Sequence, residues 1–225
     1  MPSTEGTVDF PVTFDGRDEV HQTWYRIVGD ANGGDLADPA APPPLVVLHG
    51  GPGGSHDYLL SLIDLATDGR AVIFYDQIGN GRSTHLPERG ADFWTVELFV
   101  RELHNLVDVL GLRGGHHVLG QSWGGCLAQE YALTHPRGLR CAVLADTAAS
   151  YADFAAEADR LRADLPPHVE ATLRRHEADG TTDDRSTPKP APSSTASTCA
   201  DCPSGRPRSS TASPGSIGTR PSTTP

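Results

Sequence analysis

Two short glycine-rich segments carry the residues that could do chemistry. His49-Gly-Gly-Pro-Gly53 and, much later, Gly120-Gln-Ser-Trp-Gly124 each follow an apolar run that reads as a buried strand. Ser122 has the type and setting of a nucleophile. A serine hydroxyl attacks a carbonyl when it is exposed, oriented and next to a base, and a tight strand-to-helix turn supplies the exposure. Backbone N–H groups of Gly51 and Trp123 would then receive the oxyanion of acyl transfer. Gly120 and Gly124 fit such a turn because a Cβ would clash where strand and helix approach closely. In the first segment, Gly50 and Gly53 let backbone N–H groups point into the site, and Pro52 stiffens the turn. His49 lies at a strand end and reads as a brace of that loop rather than as a catalytic base.

The elements needed to position these residues are legible around them. Val8 to Phe14 and Trp24 to Val28 read as an opening antiparallel pair, and 32–44 as a Gly/Ala/Pro-rich connection. Strand 45–48, a helix near 57–66, strand 71–75, helix 95–110, strand 116–119, helix 123–134 and strand 140–145 follow. This alternation predicts an α/β, doubly wound, mostly parallel sheet over 1–150, with ligands at the carboxyl ends of the strands. Ser122 would stand at a helix N-terminus, where the dipole favours developing negative charge. From Tyr151 to about 180, spaced apolar residues (Phe154, Leu161, Leu165, Val169, Leu173) predict two short amphipathic helices interrupted at Pro166-Pro167. In a hydrolase this is the start of a helical cap.

Composition narrows the function classes. The 225 residues carry a net charge of −11, which argues against nucleic acid as a partner. Met1 to Phe10 has neither a basic segment nor an apolar core of the signal-peptide kind, and the apolar runs are strand-length. These features predict a cytoplasmic protein that does not enter a membrane; they leave the oligomeric state open. Of the four cysteines, Cys126 and Cys141 lie in segments that read as core. Cys199 and Cys202 have CxxC spacing, but without a second pair or a strand–helix context they predict neither a metal nor a redox site.

Four ordered motifs carry a resemblance: 49–53, Ser55-His-Asp-Tyr-Leu59, Tyr75-Asp-Gln-Ile-Gly-Asn-Gly-Arg-Ser83, and Gly120-Gln-Ser-Trp-Gly-Gly125. Over about Leu45 to Ser150, continuing to about Asp184, the chain resembles the prolyl iminopeptidases and amino-acid amidases among the α/β-hydrolases. The resemblance implies release of an N-terminal residue, often proline, from a small peptide, or hydrolysis of an amino-acid amide. It implies an acyl-enzyme on Ser122 and no metal or organic cofactor. In the resemblance Asp76, with Gly79, Gly81, Arg82 and Ser83, belongs to a loop-shaping segment rather than to the catalytic triad; its place after a strand also reads as a turn stabiliser.

The departure from the family follows Asp184. The triad order in this fold is Ser, then Asp or Glu, then His, yet no histidine follows His176. No triad Asp and His is therefore assigned. Asp146 follows a strand, but His168 and His176 lie on the expected cap helices. Of the 45 residues from Thr181 to Pro225, 27 are Ser, Thr or Pro, and none is aromatic. Such a segment cannot bury enough apolar surface to offset its ordering entropy and is expected to be disordered. It reads either as a native Ser/Thr/Pro appendage or as the product of a shifted frame. Arg185 to Pro190 permits codons that, one base earlier, encode Pro-Glu-Tyr-Pro-Lys-Ala, which favours the second explanation. On either, the chain as written is expected to lack a base for Ser122 and to be catalytically silent or a binding remnant.

Overall fold

The structure, a computed structural model, describes residues 1–29, 35–67 and 69–181. The Ser/Thr/Pro-rich segment from 182 on and its CxxC pair lie outside the described residues. The chain forms two units, Met1–Glu157 and Ala158–Pro225.

The first unit is built on one six-stranded sheet. Its strands are β1 (Ser3–Phe14), β2 (Arg17–Val28), β3 (Leu45–Leu48), β4 (Val72–Tyr75), β5 (His116–Gln121) and β6 (Leu139–Ala145). Their spatial order is β1-β2-β4-β3-β5-β6. β1 and β2 form an antiparallel hairpin that joins β4, also antiparallel, whereas β4, β3, β5 and β6 run parallel. β3 and β4 (Leu-Val-Val-Leu and Val-Ile-Phe-Tyr) are buried at every position, as a strand covered on both faces must be.

Helices α1 (Val96–Val109) and α2 (Trp123–Leu133) flank the sheet. α1 begins where Thr95 Oγ1 accepts the Leu98 N–H, and it buries Leu98, Phe99, Val100, Leu103, Leu106 and Val107 along one face. The helix expected near 57–66 is a 3₁₀ helix, His56–Leu65. The Ser55 hydroxyl bonds to the Asp57 carboxylate and makes no cap with the backbone.

One expectation is corrected at the end of this unit. Cys141 is exposed rather than part of the core. β6 has core-like composition, but it is the last strand of the sheet and its residues 140–144 are exposed. α3 (Tyr151–Arg162) buries none of its residues, and Phe154 and Leu161 face solvent. α4 (Pro167–Ala178) starts at Pro167, a position where the missing N–H costs nothing. Within the second unit, both guanidinium NH groups of Arg162 donate to the Glu177 carboxylate.

Candidate active site

β3 and β5 are parallel neighbours, with Leu48 paired to Gly120. The turn leaving β3 and the turn leaving β5 therefore lie side by side at the carboxyl edge of the sheet. His49 to Gly53 and Ser122 to Gly124, distant in sequence, are brought together by this pairing.

Ser122 joins β5 to α2 with φ 55° and ψ −121°, a conformation a non-glycine residue rarely adopts. The surrounding structure holds it there. Its N–H donates to the Ala145 carbonyl (2.9 Å), and its own carbonyl accepts from Gly125 N–H (2.9 Å) and Thr147 Oγ1 (2.8 Å). The residue is half-buried. The flanking glycines are required by proximity. A Cβ on Gly124 would overlap the Leu48 carbonyl and stand 2.7 Å from the His49 carbonyl oxygen. A Cβ on Gly120 would overlap the Gly124 carbonyl.

On the β3 side, Gly50 N–H donates to Tyr58 Oη (2.6 Å), and that hydroxyl donates to Gln121 Oε1 (2.7 Å), tying the first turn to the end of β5. Gly51 has φ 126°, Gly53 has φ 109°, and the Gly51–Pro52 peptide is cis.

His49 is fully buried. Its Nε2 accepts the Gln77 N–H (2.9 Å), which leaves the proton on Nδ1 to donate to the Gly50 carbonyl (2.9 Å). Burial pushes its pKa down, opposed by the bond to Gly50 and the charge of Asp76, so the neutral ring is favoured. With both nitrogens engaged, His49 has no free nitrogen to take a proton from Ser122.

Asp76 is buried beneath the following loop. Its carboxylate accepts from His56 N–H (2.9 Å), His56 Nδ1 (2.8 Å) and Arg82 N–H (2.9 Å). Asp146, directly after β6, takes a positive φ of 46°. Among the described residues, no hydrogen bond reaches Ser122 Oγ, and no histidine of the first unit bonds to it. His168 and His176 belong to the second unit; there His176 Nδ1 lies 2.9 Å from Thr181 Oγ1. No group of three or more His, Cys, Asp or Glu among the described residues could hold a metal ion, and no helix among them is long and apolar enough to cross a membrane.

Two buried side chains escape sequence reasoning. Gln77 Nε2 donates to the His49 carbonyl (2.8 Å) and Gln77 Oε1 accepts from Trp123 Nε1 (2.9 Å). One amide thus links the β3 turn to the residue after Ser122. The signal was its place beside Asp76 at a strand end, but nothing in the sequence indicates where its amide points. Glu102, in the middle of α1, accepts from Thr23 Oγ1 (2.6 Å) and from Ile78 N–H (2.9 and 3.1 Å). Burial raises its pKa to about 8 against these bonds. An isolated glutamate on an amphipathic helix reads as solvent-facing, which hides this role.

Comparison with known proteins bears on the family and the fold. Residues 43–187 match the family model of the alpha/beta hydrolase fold. The proline iminopeptidase of Lactobacillus helveticus is 41% identical over 166 residues, 73% of this chain and 53% of the relative. That of Clostridium botulinum is 40% identical over 161 residues, 71% of this chain and 52% of the relative. The chain spans about half the length of these curated relatives. Among solved structures, VinJ superposes with a TM-score of 0.67 at 44% identity, covering 84% of this chain and 65% of that one. The Mycobacterium smegmatis proline iminopeptidase gives 0.62 at 38% identity, covering 88% and 66%. The curated relatives compared above are proline iminopeptidases, and the chain belongs to the α/β-hydrolase fold family.

Proposed function

We propose that this chain carries the nucleophile half of a serine hydrolase of the proline iminopeptidase type. Ser122 is the nucleophile, and the backbone N–H groups of Gly51 and Trp123 receive the oxyanion. The substrate class is an N-terminal aminoacyl amide, a small peptide beginning with proline or an amino-acid amide, by analogy with the names of the relatives. The observation that carries this reading is the adjacency of two turns on paired strands, one of which holds a serine at φ 55°. A strained serine at the mouth of a parallel sheet, beside a glycine-rich turn, suits attack on a carbonyl whose oxygen becomes negative.

The second reading concerns the 225 residues acting alone. Ser122 Oγ has no hydrogen-bonded base among the described residues, and a neutral serine hydroxyl is a poor nucleophile. On this reading the chain by itself binds but turns over little.

A prolyl boronic acid tests the site without requiring turnover. Boron accepts the serine oxygen while the hydroxyl proton passes to solvent, and it becomes a tetrahedral anion placed like the reaction intermediate. The expected result is a tetrahedral boron signal by NMR that disappears in Ser122→Ala. A boron that stays trigonal in the folded parent chain would sink the assignment of Ser122.

A further inference from the structure

A groove of about 410 Å³ lies beside the two turns, bordered by Pro52 and Gly53 from one and Trp123 from the other. Its remaining wall comes from Gly79, Asn80, Trp94, Val96 and Phe99. The rings form a continuous packed series. Trp94 stacks on Phe99 (centroids 6.3 Å apart, interplanar angle 21°), and Phe99 meets Trp123 edge-on at 5.7 Å. Among the described residues, no charged side chain lines the groove. Two of its polar groups are already engaged, Trp123 Nε1 with Gln77 and Asn80 Nδ2 with the Ile78 carbonyl. What the groove offers a ligand is mainly aromatic and aliphatic surface, in a volume within the range of small-molecule sites.

From this lining we infer that the groove is a substrate subsite for a neutral, apolar group of ring size or larger. Its role as a subsite rests on the reading of Ser122 as the nucleophile. An ammonium or carboxylate entering it would lose hydration without gaining a partner, so charged groups are rejected there. The amino group of an N-terminal residue must therefore be held elsewhere, and the groove selects for the uncharged part of the substrate. Val96 controls this selectivity because it stands at the rim, 41% exposed, as the first residue of α1. A side chain there can be exchanged without opening the core.

The test uses the ¹⁵N-labelled chain and the indole N–H cross-peaks of its three tryptophans. Trp94 and Trp123 line the groove, whereas Trp24 packs against His56 and serves as the internal control. Acetanilide, neutral and ring-bearing, is expected to shift Trp94 and Trp123 saturably with a dissociation constant of about 1 mM, as befits a ligand of this size. 4-Acetamidobenzoate, the same molecule with a carboxylate, should bind at least tenfold more weakly. Val96→Lys should reverse that order, strengthening the benzoate by more than the gap between the two ligands in the parent chain. Ser122→Ala should leave all these affinities unchanged, so a failed boronate experiment and a failed groove are separate outcomes. The inference is overturned if acetanilide gives no saturable shift at Trp94 and Trp123. It is overturned equally if the two ligands bind alike, or if Val96→Lys leaves their order unchanged.

Discussion

Replacing Glu102 by Gln should remove a pH dependence of stability that burial imposes on this fold. Glu102 is fully buried, and its pKa is raised from 4.5 to about 8. Between those values the folded chain keeps the proton while the unfolded chain has lost it. Stability is therefore fully present below about pH 4.5 and falls as pH rises, levelling off above about 8. At about 1.4 kcal/mol per pH unit the loss is capped near 5 kcal/mol, a large share of the 5–15 kcal/mol of a typical domain. Gln keeps an oxygen to accept from Thr23 and Ile78 and cannot ionise. Urea unfolding of parent and Glu102→Gln at intervals from pH 5 to 9 measures the effect as a difference. Subtraction matters because His49 and His116, whose pKa values are lowered by burial from 6.5, push the other way. In the unfolded state they bind protons below that pH, so their contribution rises with pH. The variant's advantage should grow through pH 5–8 and then level. A difference that stays constant across the range would refute the claim that Glu102 is held protonated.

Gln77→Leu should weaken the boronate complex at least tenfold while the chain remains folded, because the tie between the His49 turn and Trp123 is lost; boron NMR titration reads it. Gly124→Ala should cost about 3 kcal/mol or more, since its Cβ would overlap the Leu48 carbonyl. Gly114→Ala, with nothing within 4 Å of its Cβ, is the matched control in the same thermal-unfolding measurement. Prolyl anilide should be turned over negligibly by the 225-residue chain, below the roughly 10³–10⁴-fold over water that remains in triads deprived of a member. Robust turnover that vanishes in Ser122→Ala would mean that a base reaches the serine after all.

Local chemistry made much of the fold legible. Apolar runs of strand length, each with glycine at or near its end, locate β3 and β5. A strained serine turn and a Gly-Gly-Pro-Gly turn have residue requirements so narrow that their types and order announce them. The alternation of strands and helices settles the parallel arrangement, because parallel neighbours need a crossover between them. Tertiary structure decided what depends on neighbours remote in sequence. Glu102 and the exposed glutamates of helices are the same residue type, and only the approach of Thr23 and Ile78 makes this one a buried acceptor. Gln77 becomes a brace because β3 pairs with β4 on one side and β5 on the other, setting the His49 carbonyl and the Trp123 indole within reach of one amide. β6 illustrates the converse. Composition alone suits it to a covered interior, but burial belongs to whatever packs against a strand. At the edge of this sheet, Cys141 and Leu144 stand in solvent.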